Sequence, residues 1–388
     1  MGEMGAADSR THGRLTNVFL PIVLLACAVA GAAQELRPGV WGGRDLSRFP
    51  LPVAGYDVYM IGELHGVKEN YDVAVQYAAK LHEAAGLREI AIEDKPGYES
   101  EAQAYVEGRS DTLPAPLCGR AGIFRAIRRF NEGRKDGDRL VVRLVDIDYN
   151  PEAIREHLVR VKQRVKGADA VMVPALTDIK ARGLDTVAAL EKLTSDAEVL
   201  AQLRTIRHSI RTYQQGLVVY PGRDFTGSPY LDDREDAIVS NIRDLLRKHP
   251  GTPVLAFYGI DHVQKNLIRY GGPKQDHEFE PTAMRLTSAG VKVYSMVMVP
   301  LTGGYNWRGR AASLEWSAAD GGLSTGEKFD ALLASSPGTT LLYIDPKREP
   351  AKMAASDLTR TRPDAFLLFA HGTPAEDFCA AAQQSEKR

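Results

Sequence analysis

The sequence predicts an α/β protein whose mostly parallel sheet is covered by helices on both faces, with a helical insertion. Two observations lead there. Short runs that are apolar at every position recur along the chain, as in strands buried on both faces. Segments with helical spacing separate these runs, which is the alternation of βαβ units.

After a Gly-, Pro- and Arg-rich stretch at 35–54, read as a loop, the first strand is the apolar run Asp57–Gly62. A helix follows over Glu69–Ala85, with Tyr71, Val75, Ala78 and Leu81 on one face and Gly86 as its stop. Glu89–Glu93 is the second strand, Ala121–Asn131 a helix and Leu140–Asp146 the third strand. Residues 151–250 read as the helical insertion, with Pro151 at a helix start, amphipathic stretches at 152–166 and 185–214, a loop at 220–229 and a helix over Asp232–Lys248. Pro253–Tyr258 is the fourth strand, and further strands are expected at 291–299, 339–344 and 365–370. The expectation is one domain over 45–375 and a tail at 376–388. No internal repeat or low-complexity linker divides it.

The chain has 388 residues and a formal net charge of −1. No basic excess marks a nucleic-acid partner. Arg10 and Arg14 precede an apolar run from Val18 to Ala30 and then small residues, so 1–33 reads as a secretory signal peptide. That run is too short to span a bilayer comfortably, and no other apolar stretch is long enough. Leu24-Leu25-Ala26-Cys27 is the alternative, a lipoprotein signal that would anchor the chain at Cys27. The expected location is therefore periplasmic or secreted. Cys118 and Cys379 would be left in the mature chain, either paired or as free buried thiols.

In open parallel sheets, ligands bind beyond the carboxyl ends of the strands. The residues found there are Glu63 and His65, Glu93 and Asp94, Asp146 and Asp148, Asp261 and His262, and His371. Glu63-Leu64-His65 stands out. Residues two apart on an extended chain point to one side, and the flanking Gly62 and Gly66 let the backbone turn and approach a ligand closely. An imidazole beside a carboxylate suits general base catalysis. The same atoms, with His262 and Glu93, would also suit a divalent metal such as Mn, Fe, Co or Zn. Asp146 and Asp148 read as helix caps or solvated loop residues, and Asp94 as exposed. There is no G-x-G-x-x-G after the first strand and no P-loop, G-x-S-x-G or H-E-x-x-H motif, so nucleotide binding, a serine hydrolase and a zincin lack support.

Gly62-Glu63-Leu64-His65-Gly66, a helix and then Ala91-Ile92-Glu93 resemble the opening of the erythromycin esterase-like and ChaN-like superfamily, related to the Tiki and TraB group. Asp233 to Ile242 is similar to the R-D-x-x-M-x-x-N helix of the esterases. Val254 to Val263 resembles the strand that presents their second essential histidine, and Asp364 to Phe369 their last strand. The resemblance covers most of 55–375. It implies an active-site group of Glu63, His65, Glu93 and His262, with Arg234 nearby to bind an anionic or carbonyl oxygen. One residue rather than two separates Glu63 from His65, as in the ChaN-like branch.

The function expected is an exported hydrolase acting on an ester or amide, in a small molecule or peptide. His65 would activate water, oriented by Glu63, while His262 and Arg234 stabilise the oxyanion. In a variant of this reading Glu63, His65 and His262 hold a divalent metal. The alternative is a haem- or porphyrin-binding protein of the ChaN-like type, for which Tyr258, Tyr56 and His82 are the candidate axial ligands.

Overall fold

The computed structural model describes residues 33–215, 230–270, 277–307, 310–315, 332–334, 336, 338–348 and 363–376. The expected signal segment, Cys27, the loop expected at 220–229 and Cys379 lie outside these residues.

One sheet of nine strands organises the fold. In chain order its strands are β1 (Gln34–Arg37), β2 (Val40–Gly43), β3 (Val58–Glu63), β4 (Glu89–Ile92), β5 (Val141–Leu144), β6 (Val254–Gly259), β9 (Val293–Pro300), β12 (Leu341–Ile344) and β13 (Ala365–Phe369). Two small antiparallel pairs complete the strands among the described residues: β7 (Ile268–Tyr270) with β8 (His277–Phe279), and β10 (Thr302–Trp307) with β11 (Arg310–Glu315).

Across the sheet the order is β1-β2-β12-β13-β9-β3-β6-β4-β5. Every pairing from β13 to β5 is parallel, and β12 runs antiparallel to both β13 and β2. The stretch read as a loop at 35–54 therefore holds two strands. Val40-Trp41-Gly42-Gly43 is short and glycine-rich, and it is a strand because β12 lies beside it, a partner more than 290 residues away that no local pattern reveals.

The central strand β3 is buried at every position. Its side chains alternate between two cores, as the pleat requires. Tyr59 and Ile61 join the core beneath helices Lys68–Ala85 (α1), Glu99–Val106 (α2) and Ala121–Asn131 (α3). Val58 and Met60 join the core beneath helices Tyr230–Lys248 (α7) and Thr282–Ser288 (α8). α1 buries Tyr71, Val73, Ala74, Tyr77, Ala78 and Leu81. Each of the larger of these stabilises the fold by about 1.5–3 kcal/mol. The helix stops where Gly86 turns left-handed at φ 68° and sends its amide back to His82 O.

Helices Pro151–Arg164 (α4), Ile179–Glu191 (α5) and Ala197–Gln214 (α6) pack around a core of their own, including Ile154, Leu158, Val187, Leu203, Ile206 and Ile210. Asn150 caps α4 through Ala153 N at 2.8 Å, with Pro151 in the first turn. Asp196 caps α6, accepting from the amides of Glu198 and Val199, and so splits the stretch expected to be helical over 185–214. Among the described residues, no helix is long and apolar enough to cross a membrane.

Candidate active site

Glu63, Glu93 and His262 come together because three neighbouring strands end level. Glu63 pairs in register with Gly259, and Ile92 with Phe257. Glu93 then follows β4, with its amide on Phe257 O at 3.2 Å. The short 3-10 turn Ile260–Val263 after β6 carries His262. Just beyond β3, Gly66 turns at φ 83° and lets the loop bearing His65 fold back.

Glu93 is the hub. Its Oε2 accepts Gly259 N at 2.7 Å and Arg120 Nη2 at 2.8 Å, and lies 4.0 Å from His65 Nε2. Its Oε1 accepts Arg234 Nη2 at 2.5 Å and lies 3.4 Å from His262 Nε2. The two imidazoles thus face opposite oxygens of one buried carboxylate. Burial alone would raise its pKa, but Arg120, His262 and Arg234 hold it well below the usual carboxylate range. Glu93 is therefore a fixed anion and not a proton shuttle.

His65 is the accessible member of the group, with 26% of its side chain exposed against 7% for His262. Its Nδ1 lies 2.5 Å from Glu63 Oε1. Glu63 also accepts Arg120 Nη1 at 2.9 Å and Asn70 Nδ2 at 3.1 Å. Burial works to raise the Glu63 pKa, yet His65 and Arg120 together hold it below its ordinary value. A buried, ionised carboxylate on Nδ1 fixes the ring and its tautomer, which directs proton transfer to Nε2.

His262 stands in a different environment. Burial disfavours its charged form, but Glu235 Oε1 at 2.6 Å from Nδ1, together with Glu93, raises its pKa to about 10. Glu235 is itself fully buried, and Thr282 Oγ1 donates to its other oxygen at 2.5 Å. At neutral pH His262 is an imidazolium that supplies positive charge and accepts no proton.

Arg120 was not among the residues singled out from the sequence. It spans Glu63 and Glu93, and its Nη2 lies 3.5 Å from both ring nitrogens of His65. Arg234, expected to bind substrate oxygen, is engaged elsewhere: it donates to both Asp146 oxygens, to Glu93 and to the Tyr149 hydroxyl. Arg120, itself held by Glu63 and Glu93, is the cation beside His65. Asp146 is fully buried and Asp148 nearly so, Asp148 holding His157 Nδ1 at 2.8 Å. Neither is a helix cap or a solvated loop residue. Asp94 is also buried and pairs with Lys95 Nζ at 3.1 Å. His371 is exposed beside Thr302 Oγ1, 3.3 Å away.

The proposed metal set of Glu63, His65 and His262 does not fit this arrangement. Among the described residues no group of three or more His, Cys, Asp or Glu is disposed to hold a metal ion. The donor chemistry gives the reason. Glu63 and His65 spend their facing atoms on each other, His262 turns to Glu235, and two guanidinium groups neutralise the carboxylates as a cation would. The haem reading gains no support either. Tyr258 is fully buried, His82 bonds Leu87 O and Asp138, and Tyr56 packs against Tyr59 and Tyr294 ahead of β3, at the opposite end of that strand from Glu63.

No family model and no curated relative matches the chain. Solved structures do. An erythromycin esterase, EreC, solved as a histidine-to-asparagine variant in its open conformation, superposes with a TM-score of 0.59 at 14% identity, over 84% of this chain and 93% of that one. A Bacillus cereus protein matches with a TM-score of 0.58 at 15% identity, over 83% and 90%. A succinoglycan biosynthesis protein matches with a TM-score of 0.60 at 10% identity, over 84% and 90%. The chain has the erythromycin esterase-like fold.

Proposed function

We propose that this protein is a hydrolase that cleaves an ester or amide in a small molecule, with His65 as general base. The observation that carries the reading is the His65–Glu63 pair at 2.5 Å, a partly exposed imidazole on a buried carboxylate at the end of the central strand. His65 Nε2 takes a proton from water, whose oxygen then attacks the carbonyl carbon. Glu63 stabilises the imidazolium so formed. The negative charge that develops on the carbonyl oxygen is offset by the guanidinium of Arg120 and the imidazolium of His262. His65 then returns its proton to the departing oxygen or nitrogen. Glu93 and Arg234 hold these groups in place and exchange no proton.

The ester preference draws on the fold shared with an erythromycin esterase. Export draws on the apolar run Val18–Ala30 and on Cys118, which is disulfide-bonded, as befits an oxidising compartment. The test is hydrolysis of a panel containing 4-nitrophenyl esters, a macrocyclic lactone and peptides by the wild type and His65→Ala. Turnover of an ester that His65→Ala lacks is the expected result. Equal turnover by both would remove His65 from the mechanism. Chelators should leave the rate unchanged. A rate that needs added Zn or Mn and disappears in His262→Ala would replace the general base with metal assistance.

A further inference from the structure

Tyr71 lies in the first turn of α1, next to Asn70, whose side-chain amide holds Glu63 Oε2 and Leu64 O. Its ring packs on Phe257, with ring centres 6.1 Å apart, and against Gly122 in the first turn of α3. A β-carbon at residue 122 would lie 2.1 Å from Tyr71 Cδ2 and 2.3 Å from Cε2. Glycine disfavours a helix, so what Gly122 provides here is room for this ring. Gly122 follows Arg120 by two residues. Phe257 precedes by two the Gly259 amide that Glu93 accepts. The elements that aim the charged groups of the site thus also enclose Tyr71.

The residue is only 5% exposed, yet its hydroxyl bonds no described residue. The hydroxyls of Tyr59 and Tyr258 also lack partners, but they are sealed in the core, whereas that of Tyr71 reaches solvent. Burial and the Glu63 carboxylate push the Tyr71 phenol well above its ordinary pKa, and Arg120 opposes them only in part. The phenol therefore keeps its proton at neutral pH. Packing alone asks for a phenylalanine at this position. The hydroxyl adds a donor that the protein leaves without an acceptor, close to the guanidinium assigned to the oxyanion.

We propose that Tyr71 is a further catalytic residue: its hydroxyl, unpaired in the protein and set near Arg120, donates a hydrogen bond to the substrate carbonyl oxygen as that oxygen becomes negative. The O–H bond stays intact throughout, so no proton leaves Tyr71. Gly122 is the positioning residue that admits its ring. The inference rests on the hydrolase reading for its effect on turnover, but the donor itself also serves any tetrahedral oxyanion bound beside Arg120.

The experiment compares the full chain with Tyr71→Phe, which keeps the ring and its packing and removes the hydroxyl alone. Thermal unfolding should be the same for both. With an ester from the panel above, kcat should fall roughly 10²-fold, the usual loss of one oxyanion donor, while KM changes little. Calorimetry with phenylphosphonate, whose tetrahedral oxygens mimic the attacked carbonyl, should show binding weakened about tenfold in Tyr71→Phe. Gly122→Ala, which displaces the ring, should lose kcat to a similar extent. Equal kcat and equal phenylphosphonate affinity in wild type and Tyr71→Phe would overturn the inference and leave the hydrolase reading standing. A raised KM with kcat intact would overturn it too, since the bond would then serve the ground state. If the wild type turns over no ester, the hydrolase reading fails, and phenylphosphonate decides alone: weaker binding by Tyr71→Phe upholds the donor. Equal binding, or none by the wild type, removes it.

Discussion

His262 Nδ1 sits 2.6 Å from Glu235 Oε1 in a pocket that buries both side chains. The pair is an imidazolium and a carboxylate locked together, and it makes a prediction about pH. The His262 pKa is raised from 6.5 to about 10 by Glu235 and Glu93, against the opposing effect of burial. The folded state therefore binds a proton more tightly than the unfolded chain does. The stability this adds is fully present below about pH 6.5 and is lost as pH rises through about 10. His262→Gln should cost about 3–5 kcal/mol at neutral pH, because it leaves Glu235 buried without its cation. Urea midpoints of both proteins across this range should converge as pH rises. A gap that stays constant from neutral to alkaline pH would sink the argument.

In the proposed mechanism His65 is the general base, and its side chain carries little of the packing. It is partly exposed, so His65→Ala should leave the fold intact and lower kcat by roughly 10²–10⁴-fold, the usual worth of a positioned general base. Thermal unfolding and steady-state kinetics on the same preparation check both halves. A variant that loses activity because it has unfolded would mean that His65 holds the fold together.

Arg120→Lys tests the bridge. A guanidinium reaches Glu63 and Glu93 with separate nitrogens, which a single ammonium cannot do in the same geometry. Turnover should fall by roughly 10²–10³-fold, as for loss of one preorganised oxyanion donor. Stability should fall less in Arg120→Lys than in Arg120→Ala, because lysine still brings one positive charge to the buried carboxylates. The same kcat in Arg120→Lys as in the wild type would confine Arg120 to structure.

The parts of this site that the sequence made legible are those whose signal is local. Glu63, Glu93 and His262 each follow an apolar run, and a parallel sheet brings the ends of such runs to one edge. Their companions came from longer-range packing. Arg120 lies in a proline-rich 3-10 segment with no periodicity to mark it. Glu235 looks like one more acid in the charged run Asp232 to Asp236, and only the fold reveals that it faces His262. Asp146 reads as a cap because a helix follows closely, but Asn150 fills that role and Asp146 binds Arg234. The sheet shows the same division: β3, β4 and β6 could be read directly, whereas β2 is a strand only through β12.

Gly66 couples the site to the hairpin β10–β11. Its carbonyl accepts Asn306 N at 2.9 Å and Ala375 N at 2.8 Å, and its φ is 83°. A β-carbon at this position would lie 1.9 Å from Asn306 O, so a side chain fits neither the space nor the backbone. Gly66→Ala must push the hairpin away or rotate the residue out of its turn, and either response drags His65 from Glu63. The expected result is a loss of kcat approaching that of His65→Ala, with destabilisation of about 1–3 kcal/mol from the strained backbone. Hydrogen exchange should rise in peptides from 302–307 and from 64–68 together. Exchange that rises in the hairpin while kcat holds would show that the His65–Glu63 pair keeps its geometry without the clamp.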